Sequence, residues 1–166
     1  PIRCCTRSPC IADRTIPPRN SIPEIPVEKS PVWFKITAVV ALLWNLLGCL
    51  AFAGDLMLTA DDVAKLPEAH QAMYAARPGW SVVATAVAVV GGALGCIALL
   101  MKSKWAYALF ALSLIGILVQ DYAMFVLIDG AALAGSVAVI LQGIVLLVGV
   151  LLVLLSRRAI ARNWIA

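Results

Sequence analysis

Asn45, Asp121 and Gln142 are polar side chains set inside long apolar runs, and Gln120 stands beside Asp121. A carboxyl or amide in such a setting either ties helices together or binds a proton or cation. Counting inward at 1.5 Å per residue from the boundary nearest residues 55–79, Asp121 lies roughly 10 Å deep, Asn45 roughly 14 Å and Gln142 roughly 16 Å. Three side chains from three segments are therefore expected in one layer, with Asp55 as an outer mouth above it. In the structural reading Asp121 is protonated and donates to Asn45, Gln142 or a backbone carbonyl. In the functional reading it is a proton or cation site reached past Asp55. The structural reading is preferred, because no basic residue or second carboxylate accompanies Asp121 in the apolar run.

Other reactive residue types are scattered. Of the five cysteines, Cys4, Cys5 and Cys10 lie in a polar N-terminal stretch with no CxxC pair, which supports neither a zinc ribbon nor a dithiol motif. Cys49 lies about 8 Å and Cys96 about 24 Å from the same boundary, too far apart for a disulfide that needs Cα atoms within about 7 Å. The single histidine, His70, has no HExxH context and no second ligand. No Gly-rich phosphate loop follows a strand. No catalytic, cofactor-binding or metal constellation is expected, and the chain is read as having no enzymatic activity.

The elements that must position these residues follow from composition. The chain is 63% hydrophobic and 13% charged, with a mean hydropathy of +0.97. A water-soluble globule of this size cannot bury so much apolar surface, so the partner implied is a lipid bilayer. The net charge of +4 sits beside apolar runs rather than on a polar, aromatic-studded surface. That argues against nucleic acid.

Four apolar segments are expected as helices over 32–54, 80–101, 105–128 and 131–155, each about 22–25 residues and long enough for a ~30 Å hydrocarbon core. Lys102–Ser103–Lys104 and Asp129–Gly130 leave room only for tight, antiparallel connections. Residues 55–79 form a longer loop, in which Thr59 and Asp62 resemble a helix start and Pro67 opens a second short helix before Pro78. A solvated lid is preferred there over a substrate vestibule. Arg19, Lys29, Lys35, Lys102, Lys104, Arg157, Arg158 and Arg162 gather on one side, with only Lys65 and Arg77 opposite. The positive-inside rule then predicts cytoplasmic termini in a bacterial inner membrane.

Lipid gives helices no hydrophobic reason to associate, so small residues should mark their contacts. Ala41, Asn45, Gly48, Phe52 and Asp55 share one face of the first segment. Ala84, Ala88, Gly92 and Cys96 line the second, with Gly91 and Gly95 beside them. Ser113, Gly116 and Gln120 line the third, and Gly135, Val139, Gln142, Leu146 and Gly149 the fourth. Gly48, Gly91, Gly92, Gly95 and Gly116 are the expected packing positions. The fold class is all-α: a four-helix antiparallel transmembrane bundle over 31–156, a short cytoplasmic tail over 157–166, and a disordered N-terminal tail over 1–30.

The runs "ALLWNLLGCLAFAGDL", "LPEAHQAMYAARPGW", "AVAVVGGALGCIALLMKSKWA" and "LFALSLIGILVQ" resemble, in order and spacing, a group of small bacterial four-helix membrane proteins often labelled sugar transporters. Trp44-Asn45, Pro78-x-Trp80 and Gly91-Gly92-Ala93-Leu94-Gly95 carry the resemblance, which covers roughly residues 33–120 and stops short of Asp121. The resemblance brings no known site residues. Its members begin shortly before the first helix, whereas the first methionine here is Met57. Translation is accordingly expected to start at Val27, from a GTG codon, with 1–26 untranslated.

Three functions remain in order of preference. The first is a structural or accessory membrane protein, acting as a homo-oligomer or with a membrane-protein partner. The second is a small-solute, sugar-like or cation-coupled carrier, which with only four helices would need to oligomerise. The third is an enzyme of membrane redox or lipid chemistry, for which clustered His, Cys or paired carboxylates are missing.

Overall fold

A computed structural model describes residues 31–165. The expectations for the N-terminal tail and its translation start lie outside the described residues. The described residues form helices α1 (Val32–Met57), α2 (Ala60–Val63), α3 (Glu68–Ala76), α4 (Gly79–Leu100), α5 (Trp105–Tyr122) and α6 (Gly130–Ala161). A π-helical turn over Ala123–Leu127 prolongs α5. There is no strand among them.

Four of these helices are long and apolar enough to cross a membrane. Their outer faces are leucine, valine and isoleucine, with Leu50 69%, Leu47 63% and Ile140 62% exposed. Such a surface is stable only against hydrocarbon. The protein is a multi-pass membrane protein, folded as a four-helix antiparallel bundle.

The helices pack in chain order: α1 on α4, α4 on α5, and α5 on α6. Within the most apolar stretch of each span, 44% of α4 is buried against 11% of α1 and 6% of α6. Helix α4 is therefore the spine. Its small-residue face makes close approach possible, because a side chain at several positions would have nowhere to go. A β-carbon on Gly95 would come within 2.7 Å of the Phe110 ring, and one on Gly116 of the facing α5 within 2.8 Å of the Ala84 carbonyl and the Ala88 amide. At Gly91 it would lie 3.3 Å from Ser113 Cβ. Ser113 donates across the α4–α5 contact to the Ala88 carbonyl at 2.5 Å, a bond worth about 0.6 kcal/mol in a membrane bundle. Gly48 is looser, with Val89 at 3.6 Å.

The tight hairpin after α4 is a Schellman closure. Lys102 takes a left-handed φ of 58°, its N–H reaches Leu99 O at 3.1 Å, and the Ser103 N–H reaches Ala98 O at 2.9 Å. The same closure ends α6, with Asn163 at φ 53° and the Trp164 N–H on Ala159 O at 3.0 Å.

Helix α6 differs from its expected 131–155 span at both ends. It starts at Gly130 but breaks at Gly135, whose φ of 75° and ψ of −178° are not helical. That conformation is open essentially to glycine alone. A Gly135 β-carbon would meet nothing within 4 Å, so this residue is a backbone hinge and not a packing position. At the other end α6 runs on to Ala161, and 162–165 turn back under the bundle instead of leaving as a tail. Trp164 packs edge-on to Trp33 at 5.8 Å and Phe34 at 5.6 Å, and Arg162 lies 5.7 Å over the Trp164 ring. With Phe34, Leu99 and Ile165 each 2% exposed or less, this end of the bundle is plugged.

Candidate functional site

The opposite end carries Asp55, in the last turn of α1. A carboxylate at a helix C-terminus faces the negative pole of the dipole and needs donors from elsewhere. Helix α3 supplies them. The Tyr74 hydroxyl donates to Asp55 Oδ1, and Arg77 Nη1 donates to Asp55 Oδ2 at 2.6 Å. The Arg77 and Asp55 side chains are 25% and 24% exposed, so solvent screens the pair only partly. The hydrogen bond to Asp55 raises the Tyr74 hydroxyl above its ordinary pKa, and burial acts in the same direction.

Local sequence explains how α3 reaches Asp55. Thr59 and Asp62 form a reciprocal capping box that starts α2. The Thr59 side chain, then its backbone N–H, holds the Asp62 carboxyl below its ordinary pKa. Gln71 then ties the turn before α3 by donating to Ala64 O at 3.0 Å and Leu66 O at 2.8 Å. Pro67 and Pro78 bracket α3, which also packs on α6. The loop is thus a built cover.

Beneath it lies a cavity of about 390 Å³ whose mouth is formed by Asp55, His70, Met73, Tyr74 and Arg77. Thr85, Val89 and Gln120 lie deeper in its lining. A second cavity of about 330 Å³ shares Gly48, Ala51, Thr85, Val89 and Gln120 with the first and adds Asn45, Gly92 and Gln142. The two adjoin across these five residues and together give a path into the bundle. Phe110 and Leu152, 2% and 6% exposed, line its inner part on the side of the aromatic plug.

The expected polar layer divides into two groups. Gln142 donates its amide to Asp121 Oδ1, joining α5 and α6. Asn45 stays apart: its amide donates to Ala41 O at 2.8 Å and to Cys96 Sγ at 3.7 Å. A depth count sets the layer and says nothing of angle around the bundle, so it does not separate Asn45 from Asp121. Asn45 and Gln142 do line the same inner cavity, from α1 and α6, whereas Asp121 does not line it. Asp55 lies at the mouth, and Gly48 and Gly92 line the path. Gly91, Gly95 and Gly116 hold α4 and α5 together away from it.

Gln120 was the signal to follow. It completes the Ser113–Gly116 stripe, lines both cavities, and makes no side-chain hydrogen bond among the described residues. Tyr74 and Arg77 also escaped sequence reasoning, although their i, i+3 spacing beside the acidic residues of the loop hinted at a shared face. Among the described residues no group of three His, Cys, Asp or Glu could hold a metal ion. Cys49 directs its thiol to Val89 O at 3.6 Å. The arrangement is suited to holding a molecule, through a charge-neutral mouth and one uncommitted amide. Comparison with protein-family models, characterised proteins and solved structures finds no match to this chain.

Proposed function

We propose that this chain is an accessory protein of a bacterial plasma membrane that holds a small ligand in the cavity beneath Asp55 without altering it chemically. The observation that carries the reading is the pair of adjoining cavities that extend from the Asp55–Tyr74–Arg77 mouth to Gln120 and Asn45, with an aromatic stack at the opposite end of the bundle. A cavity of this kind, mostly apolar with few convergent polar groups, is the usual form of a ligand site. Lys35, Lys102, Lys104, Arg157, Arg158 and Arg162 crowd the plugged end, so the positive-inside rule puts both termini in the cytoplasm and the mouth outside. Ligand binding by the detergent-solubilised chain, abolished by Arg77→Gln and absent from flux assays, is the expected result. Binding to no tested ligand would end this reading.

A small-solute carrier is the second reading. It is favoured by the π turn at Ala123–Leu127 and the break at Gly135, two discontinuities that flank the α5–α6 connection. Carriers build their sites on such interrupted helices. Uptake of a sugar or cation into proteoliposomes above the protein-free background would favour it over the accessory reading.

A further inference from the structure

We infer that the ligand held by this cavity is a single amphiphile, with an electrically neutral head at the Asp55 mouth and an apolar chain along the inner cavity. The inference rests on the ligand-holding reading and names its substrate class.

Charge at the mouth is already compensated. Asp55 and Arg77 neutralise one another at 2.6 Å, and the Tyr74 hydroxyl is committed to the same carboxylate. A charged head would meet no unmatched counter-charge from this trio. Hydroxyl, ester or amide groups can instead use the remaining lone pairs and guanidinium hydrogens.

The polar groups deeper in the path are largely self-satisfied. Thr85 donates to Ser81 O at 2.9 Å and Ser81 to Pro78 O at 2.7 Å. Asn45 bonds Ala41 and Cys96, and Gln142 bonds Asp121. Among the described residues the Gln120 side chain is the one amide along the path that makes no such bond as donor or acceptor, while the Trp44 indole and the His70 ring also line it without one. A free sugar would bury hydroxyls around its whole ring against a few scattered groups in a mostly apolar lining, which is costly. A head with one ester or amide fits that single group, and the walls beyond it suit an alkyl chain.

The route in is lateral. Consecutive spans pack extensively on one another, whereas α1 and α6, which both wall the inner cavity, share buried residues but no such extended contact. Trp44 and Leu47 of α1 and Val145 and Val148 of α6 line the inner cavity, and Trp44 and Leu47 are at the same time exposed on the apolar outer surface. A lipid-like molecule can therefore enter chain-first from the bilayer without crossing the mouth. Cavities of about 390 and 330 Å³ match the ~300–1,000 Å³ of sites for ligands of this size.

The test is native mass spectrometry of the full chain in mild detergent with four probes: monooleoylglycerol, oleate, glycerol and glucose. One monooleoylglycerol should be retained per chain, at least tenfold more strongly than oleate, with glycerol and glucose unbound. Ala51→Trp, which fills the neck shared by the two cavities, should reduce retention at least tenfold. Leu118→Trp on the lipid face should not change it. Should Ala51→Trp fail to fold, the near-isosteric Gln120→Leu should weaken retention several-fold. Glucose or glycerol binding without monooleoylglycerol would overturn the amphiphile and leave the ligand-holding reading standing. Retention unchanged by the neck variants would mean annular lipid and overturn it as well. A folded chain that retains none of the four probes overturns the amphiphile, and the flux and binding panels above decide the broader reading separately.

Discussion

Gly92 of α4 lies directly against the Asn45 amide of α1: a β-carbon at 92 would overlap Asn45 Oδ1 and lie 3.3 Å from Ser113 Oγ. One glycine thus lets three helices meet at the wall of the inner cavity. Gly92→Leu should disrupt the bundle, and Gly92→Ala should cost about 1–3 kcal/mol as an overpacked contact. Asn45→Ala removes the obstructing oxygen, so in a double-mutant cycle it should recover part of the Gly92→Ala loss. Leu100→Ala, on a face that is 38% exposed, should be mild. Equal melting temperatures for Gly92→Leu and Leu100→Ala in detergent would contradict this packing.

Gly135 separates two roles of glycine within one helix. Gly135→Ala forces an L residue to φ 75°, ψ −178°, and should destabilise by about 1–3 kcal/mol. Gly143→Ala, where an added β-carbon meets nothing within 4 Å, should be neutral or stabilise by up to about 1 kcal/mol. Thermal unfolding of the two variants compares them directly.

The cover over the cavity should loosen in alkali. Tyr74 has a pKa raised by its hydrogen bond to Asp55. The folded state therefore binds its proton more tightly than the unfolded state does. Its contribution is present in full below the ordinary tyrosine value near 10 and is lost as pH rises through the raised value. Tyr74→Phe should abolish this alkaline loss, read as the pH at which protease begins to cut within 58–78. An unchanged profile would exclude the Asp55 tie as what holds α3.

The pairing of Asp121 with Gln142 predicts an ordered series. Asp121→Asn keeps a hydrogen-bonding partner for the Gln142 amide and should stay close to the parent in stability. Asp121→Leu strands that amide and should cost about 0.6–1.7 kcal/mol. If Asp121→Leu melts with the parent, the pair does not hold α5 to α6.

Much of the architecture was legible because its signals repeat. Ala84, Ala88, Gly92 and Cys96 recur every fourth residue, all are buried, and only one face of the helix can hold them. The capping box at Thr59 and Asp62 is a local motif and appeared as read. Long-range features were harder to see. Arg77 and Tyr74 reach Asp55 across 22 and 19 residues, with no periodicity to announce them. Gly135 looks in sequence like any small-residue contact, since composition cannot distinguish a glycine kept for space from one kept for φ. The plug was hidden by charge: Arg157, Arg158 and Arg162 suggested a solvated tail, yet Trp164 between them and the chain end is only 6% exposed.

The most direct test of the account is the side from which Thr85 can be reached. Thr85→Cys, in a chain whose native cysteines are replaced by alanine, puts a thiol on the wall shared by both cavities. In sealed vesicles of known orientation, a membrane-impermeant thiosulfonate should modify it only from the Asp55 side, and Asp55→Ala should speed the reaction by loosening the α3 cover. Modification only from the Lys102–Lys104 side, or equally from both sides, would contradict a cavity that opens at Asp55 and ends at the Trp33–Phe34–Trp164 plug.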